Sequence, residues 1–194
     1  MKLLEEKILQ DGRAINEDIL RVDTFINHQV DPVLMGKCAR EFALYFKGKG
    51  VTKIVTVESS GISPALLTAL EMGVPLVILK KQPSKVLNDN LYQTMIASFT
   101  KGTNYELTLS RDVISENDHV VIIDDFLANG CALQGLISII NEAGASVSGI
   151  GIAIEKGFQN GGQIIRNMGY KLESLAIVDS MDASTGEVKF RNRI

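Results

Sequence analysis

Two adjacent aspartates, Asp124 and Asp125, close the apolar run VVII over 120–123, and the residues after them, FLANGCA over 126–132, are mostly small. Carboxylates held side by side raise each other's pKa unless something positive or hydrogen-donating lies between them. A divalent cation and the vicinal hydroxyls of a ribose both meet that need. Behind the acids, Ala128, Asn129, Gly130, Cys131 and Ala132 leave backbone N–H groups uncovered where the pattern predicts a helix to start near Cys131. Such a turn suits a phosphate monoester. Acids for a sugar and amides for its phosphate would then stand one turn apart. An exposed acidic turn is the alternative, and the abrupt passage from apolar strand to acid pair to small-residue helix start argues against it.

Two further strand ends carry chemistry of the same kind. Glu58, Ser59, Ser60 and Gly61 follow the apolar IVTV of 54–57 and precede an amphipathic segment, so their N–H groups can receive an anion with help from a helix dipole. A plain capped turn is the competing reading. The segment is neither GxGxxG nor a Walker loop, which disfavours dinucleotide and nucleoside triphosphate sites. Lys156 ends the buried run ASVSGIGIAIEK, 145–156, and Phe158 follows closely. An ammonium there can neutralise a ring oxygen and the phenyl ring can stack on a flat base, although Lys156 also fits a solvated strand end. His28 and His119 form no HxxxH pattern, and Cys38 and Cys131 lack metal-ligand spacing, so both cysteines are expected to pack.

The elements that must position these residues are legible in the periodicity. The start MKLLEEKILQ reads as a charged helix, and Asp31-Pro32 opens another over 33–46 that Gly48 and Gly50 end. A strand at 54–57, a helix at 63–72 closed by Gly73, and a strand at 75–80 form a parallel crossover. Residues 81–90 are polar and aperiodic, which predicts a mobile loop. The segments 91–100 and 104–112 read as an antiparallel hairpin inserted between parallel units. HVVIIDD, 119–125, resumes the sheet, with a loop from 126 to 130. A crossover helix follows over 132–144, then a strand over 145–156, a helix near 162–168, a strand over 171–178 and an edge strand EVKF at 187–190. The fold class is therefore α/β, an open and mainly parallel sheet flanked by helices, with ligands at the carboxyl ends of its strands.

Composition narrows the functions. With 45% hydrophobic and 22% charged residues the chain fits an ordinary globular domain. A net charge of −3 and a pI near 5.5 argue against a nucleic-acid surface, which needs clustered basic residues. No apolar run reaches the roughly 20 residues that cross a bilayer, and the first residues lack the build of a cleavable signal. A cytoplasmic protein with no membrane partner is expected.

The segment IIDDFLANGCA resembles the phosphoribosyl diphosphate (PRPP) signature of type I phosphoribosyltransferases, and the likeness extends over nearly the whole chain. ESSG at 58–61 resembles the pyrophosphate loop of that family. DHVVIIDDFLANG, IVTVESSGI, FINHQVDP and GIAIEKGFQ together resemble its bacterial branch that uses xanthine. One departure stands out: where the family's phosphate loop usually carries Thr-Gly and a further hydroxyl, this chain has Asn129 and Cys131, so backbone amides must do more of the binding.

The resemblance implies a single domain over 1–194, with a hood from about 1–31 and C-terminal elements and a flexible loop and hairpin over about 81–112. It implies transfer of phosphoribose from PRPP to N9 of xanthine, with Mg²⁺ carried mainly by the substrate's oxygens. Asp124 and Asp125 would hold the ribose, and 128–132 its 5′-phosphate. Glu58, Ser59, Ser60, Gly61 and Lys80 or Lys81 would face the diphosphate. Lys156 and Phe158, with Leu20 and Asn27 from the hood, would form the base pocket. A loop lysine reaching a neighbouring site implies a homodimer. Adenine or hypoxanthine–guanine transfer is the nearest rival activity. A PRPP-sensing regulator is disfavoured for want of a DNA-binding segment, and a nicotinamide-dependent dehydrogenase for want of GxGxxG after the first strand.

Overall fold

The computed structural model describes residues 1–82, 90–98 and 103–191. Helix α1 (Lys2–Asp11) buries Leu4 and Ile8, and a two-stranded ribbon, β1 (Arg13–Ala14) with β2 (Leu20–Arg21), leads into a π-helical turn over Asp23–Asn27. Helix α2 (Pro32–Phe46) starts where Asp31-Pro32 predicts. The Asp31 carboxylate accepts from the N–H groups of Val33 and Leu34, each at 3.0 Å, a cap worth about 1 kcal/mol. Its inner face carries Leu34, Met35, Cys38, Ala39, Phe42 and Phe46. Burial pushes the Cys38 thiol up to about 12, which suits a packing residue.

Strand β3 (Lys53–Val57) passes through α3 (Ile62–Met72) to β4 (Leu76–Gln82), and Gly73 ends α3 in the left-handed conformation at φ 67°. A hairpin of β5 (Leu91–Ser98) and β6 (Thr103–Ser110) follows, then β7 (His119–Leu127), α4 (Cys131–Glu142) and β8 (Ser146–Lys156). The chain finishes with α5 (Gly161–Asn167), β9 (Leu172–Asp182) and β10 (Glu187–Phe190). Eight strands form one sheet in the order β10-β9-β8-β7-β3-β4-β6-β5. The inner five are parallel, while the β5–β6 hairpin and β10 close the two edges antiparallel. The expected class and the hairpin's insertion are thus both present.

After β4 the chain returns on the other side of β3, as β7. The connections from β3 and β7 therefore leave in opposite directions, and the crevice between their carboxyl ends is the switch point where α/β sheets receive ligands. One apolar layer packs α2, α3 and the N-terminal segment against Ile54, Val121 and Ile123, and reaches Leu175, Val178, Met181 and Val188 near the β9–β10 edge. The other packs α4 and the hairpin against Val55, Val57, Val120 and Ile122. The run VVII is wholly buried because each face of the central strands is covered.

Several boundaries differ from expectation; β9, expected to end at Val178, runs to Asp182. Strand β7 does not stop at Asp125: Phe126, expected to open the loop, pairs with Ile154, so the strand runs to Leu127. Strand β8 is long enough to go on supplying hydrogen-bond partners after the apolar run has ended. Likewise Lys81, expected in the polar loop, belongs to β4 and pairs with Leu107 of β6. The rest of that loop, 83–89, and the hairpin turn, 99–102, lie outside the described residues.

At the opposite end of the sheet, Asp118 joins β3 to β7. It accepts from Lys53 Nζ at 2.8 Å, Ser115 N–H at 2.8 Å and Thr52 Oγ1 at 2.9 Å. His119 Nδ1 lies 2.5 Å from Ser146 Oγ at this same end, away from the switch point. Burial alone would raise the Asp118 pKa, but the Lys53 ammonium and the other donors outweigh it and hold the carboxyl at about 2. Because the folded pKa lies below the unfolded one, this group stabilises the fold above about pH 4 and loses that effect as the pH falls toward 2. Asp118→Asn should lower the unfolding free energy in urea by about 1–2 kcal/mol at pH 7, after allowance for solvent screening. The gap from the parent chain should shrink at lower pH; a gap that stays constant would remove this assignment.

Candidate active site at the β3–β7 switch point

Three strand ends stand side by side here, those of β8, β7 and β3. On β7, Asp124 is only 8% exposed and its Oδ1 accepts from the Asp125 N–H at 3.0 Å. Burial, then the adjacent Asp125 carboxylate, pushes Asp124 well above the usual carboxylate range. Burial also raises Asp125, against a lowering hydrogen bond from Asp124. The charge of Lys81 pulls both back down in part. Its Nζ also lies 5.5 Å from the centre of the Tyr105 ring.

The β3 turn fits against these acids. A Cβ at Gly61 would stand 2.3 Å from Asp124 Oδ1 and 2.6 Å from Thr56 Oγ1, so no larger residue fits without displacing them. The Glu58–Ser59 peptide is cis. Glu58 turns back toward β4: its Oε1 accepts from the Lys81 N–H at 2.5 Å and its Oε2 lies 3.4 Å from Lys80 Nζ. The carboxylate thereby ties both lysines to the turn, a role more specific than facing an anion. Ser59 is exposed and Ser60 half-buried at the mouth of α3. Thr56 Oγ1, buried beneath them, has no hydrogen-bond partner among the described residues.

On the other side of the acids, the turn after β7 reverses at Gly130, whose φ of 83° is a backbone state that side chains resist. Asn129 Oδ1 accepts from the N–H of Cys131, the first residue of α4, at 3.1 Å. Ala128, Cys131 and Ala132 are half-buried beside it. From β8, Lys156 donates to the Asp18 carbonyl at 2.6 Å and lies 5.7 Å from the centre of the Phe126 ring. Burial lowers the Lys156 pKa, against the raising charge of Asp18. Gln159 Nε2 reaches Asp18 Oδ1 at 3.4 Å.

Lys156, Phe158, Ala128, Asn129 and Cys131 line one cleft of about 840 Å³, together with Asp18, Ile19, Gln134, Gln159, Asn160 and Ile164. This is ample for a small-molecule ligand. From the N-terminal segment it is Asp18 and Ile19 that reach the cleft. Leu20 is buried in the apolar layer with Val22 and Phe25, and Asn27 is exposed at the end of the π-helical turn; neither lines the cleft. Asp18 and Gln134 carry no motif. The small-residue run Asn160-Gly161-Gly162 did carry a signal, since it repeats the build of the 128–132 turn just beyond Lys156.

Residues 34–182 match the phosphoribosyl transferase domain family. The chain belongs to that family. It is 57% identical over 182 residues to a xanthine phosphoribosyltransferase of Agathobacter rectalis, covering 94% of this chain and 95% of the relative. A Bacillus cereus xanthine phosphoribosyltransferase is 54% identical over 185 residues, 95% of this chain and 94% of its own. Among solved structures, the adenine phosphoribosyltransferase of Saccharomyces cerevisiae superimposes with a TM-score of 0.73 at 19% identity, over 90% of this chain and 99% of that one. That of Thermoanaerobacter pseudethanolicus gives 0.71 at 23%, over 90% and 98%. These likenesses establish the phosphoribosyltransferase fold.

The fit at Gly61 yields a test of the site as a phosphoribosyltransferase centre. Gly61→Ala should keep its circular dichroism spectrum but lose activity by about 10²-fold, since misplacing a reacting group by about 1 Å costs that much. Activity near that of the parent chain would show that the Asp124–Gly61 contact is dispensable.

Proposed function

We propose that the chain transfers the 5-phosphoribosyl group of PRPP to N9 of xanthine, releasing xanthosine 5′-monophosphate and pyrophosphate. The observation that carries this reading is the order of the three strand ends, with the acid pair of β7 between the turn of β3 and the lysine of β8. A ribose on the acids would direct its 5′-phosphate to 128–132, its diphosphate to 58–61 with Lys80 and Lys81, and its anomeric carbon toward the base cleft.

Asp124 and Asp125 hold the ribose hydroxyls, and one of them accepts the proton that leaves the base nitrogen. The amides of 128–132 anchor the 5′-phosphate. Ser59, Ser60, Gly61 and the two lysines balance the negative charge that departs with pyrophosphate, where preorganised donors act most strongly. Among the described residues no three acidic, histidine or cysteine side chains converge. Two carboxylates do, a donor set that fits a Mg²⁺ ion carried by the substrate's own oxygens. When bound, that ion neutralises diphosphate charge. The N-terminal segment acts as the hood, with Asp18 and Ile19 completing the base pocket around Lys156 and Phe158. Closure of the hood excludes water, whose attack on PRPP is the competing reaction. The same reading makes the protein a single catalytic domain and a cytoplasmic homodimer. Among the described residues no helix is long and apolar enough to cross a membrane.

Lys156 sets the base. An ammonium has donors only, so it pairs with the carbonyl at C6 of an oxopurine and opposes the amino group of adenine. The high identity to relatives named for xanthine supports that base over hypoxanthine and guanine.

A panel of labelled purines with PRPP and Mg²⁺ should give the highest kcat/KM with xanthine and almost none with adenine; adenine as the best substrate would refute the assignment. Asp125→Asn should cut turnover with every base by about 10²–10³-fold in a folded chain, and near-normal turnover would remove the ribose-acid role. Lys156→Ala should raise the KM for xanthine by roughly tenfold or more and leave that for PRPP nearly unchanged; a defect confined to PRPP would misplace the lysine. The pH profile of kcat/KM should fall on the acid side at a pH above the ordinary carboxylate range, because the acids' pKa values are raised. It should fall on the basic side below the usual lysine value as Lys156 deprotonates.

A further inference from the structure

Immediately before Lys156, on the opposite face of β8, stands a carboxylate with no part in the chemistry described so far. Glu155 is 2% exposed. Arg166 grips both its oxygens, Nη1 to Oε1 at 2.7 Å and Nη2 to Oε2 at 2.8 Å, and Ser174 Oγ donates to Oε2 as well. A fork-to-fork pair of this kind fixes direction as well as distance. For stability alone an apolar pair of similar volume would serve as well, since desolvating two charges is expensive. What the ion pair adds is a single geometry.

That geometry is transmitted to the 5′-phosphate turn through two glycines at the start of α5. A Cβ at Gly162 would stand 1.9 Å from Glu155 Oε1 and 2.6 Å from Arg166 Nη1, so the first turn of the helix lies against the clamp. A Cβ at Gly161 would stand 2.2 Å from the Ala128 carbonyl oxygen and 2.8 Å from the Gly130 nitrogen, so the same turn of helix lies against the phosphate turn on its other side. The Gly161 N–H donates to the Ala128 carbonyl at 3.0 Å. Beyond those glycines α5 buries only Ile165. A seven-residue helix with one buried apolar side chain has little else to hold its position.

We propose that Glu155, Arg166 and Ser174 form a positioning clamp for the 5′-phosphate turn, seating α5 so that Gly161 holds Ala128 and Gly130 at the spacing a phosphate requires. None of the three is a catalytic residue. The proposal rests on the reading of 128–132 as the phosphate seat. It extends that reading to residues on the far face of β8, more than twenty positions away in sequence at the nearest.

The experiment compares the full-length chain with Glu155→Gln, Arg166→Met, Arg166→Lys and Ser174→Ala, using ribose 5-phosphate and pyrophosphate as separate inhibitors. A carboxamide offers Arg166 one acceptor where the carboxylate offered two. Glu155→Gln should therefore weaken inhibition by ribose 5-phosphate and raise the KM for PRPP by about tenfold, with pyrophosphate inhibition and the KM for xanthine changed less than about twofold. Arg166→Met should show the same selective loss at a residue partly open to solvent, should Glu155→Gln fail to fold. Arg166→Lys should recover only part of it, because an ammonium cannot hold both oxygens in one plane. Ser174→Ala should give the smallest effect in the same direction. Equal weakening of both inhibitors, or no weakening in a folded variant, would overturn the clamp. If ribose 5-phosphate fails to inhibit the parent chain, the phosphate-seat reading itself falls and takes the clamp with it.

Discussion

Removing the Asp124 carboxylate from water at the end of a central strand costs several kcal/mol unless donors or cations replace the lost hydration. Within the chain the replacement is partial. The Asp125 N–H donates and Lys81 contributes charge. Burial and the adjacent carboxylate raise the pKa, a direct expression of the shortfall. A ligand that presents hydroxyl groups or a divalent cation would make up that deficit, which is why the proposed function seats ribose on this pair. The same constraint explains the absence of a side chain at Gly61, since the carboxyl occupies the space a Cβ would need. It explains the topology as well. Only by placing β7 beside β3, rather than beyond β4, does the chain bring an acid pair against the first turn of α3.

Rigidity at this point comes from both ends of the sheet. The Lys53–Asp118 pair ties the starts of β3 and β7 together, while parallel pairing from Ile54 with Val121 onward carries that register toward the crevice. Wholly buried aliphatics on both faces prevent a one-residue slip, which would exchange Ile122 for Ile123 and Asp124 for Asp125 between layers. On the β8 side, Glu155 and Lys156 alternate across the sheet, so a single strand end supplies a structural carboxylate on one face and a cleft-lining ammonium on the other.

Much of this was legible in the residues themselves. Asp31-Pro32, Gly73 and the apolar periodicities mark helix and strand ends through local sterics and capping, which need no knowledge of distant contacts. The acid pair and the small-residue turn were legible for a related reason, since their chemistry is contained within nine consecutive residues. What escaped was decided across the sheet. The extension of β7 to Leu127 depends on the length of β8, and the inclusion of Lys81 in β4 depends on pairing with β6. Asp18 and Ile19 reach the cleft because the N-terminal segment packs on the β9–β10 edge, a contact with no signature in either stretch. Glu155 read as one more residue of a buried strand, and its partner lies eleven positions on in another element.

Under the proposed function, Lys156 would give base selectivity without a dedicated lock. Its ammonium is partly desolvated, and here its hydrogen bond goes to the Asp18 carbonyl. A purine carbonyl entering the cleft exchanges one carbonyl acceptor for another, so the charge is never left without a partner. A base with an amino group at the same place would instead displace the Asp18 interaction and return a donor to a donor. The penalty is the desolvation of an unpaired charge, which exceeds the net gain of an ordinary hydrogen bond. Discrimination of this type falls on the wrong base more than it rewards the right one. It depends on the N-terminal segment staying close enough to exclude water from Lys156, so the apolar contacts of Leu20, Val22 and Phe25 with the β9–β10 edge bear on specificity as well as on stability.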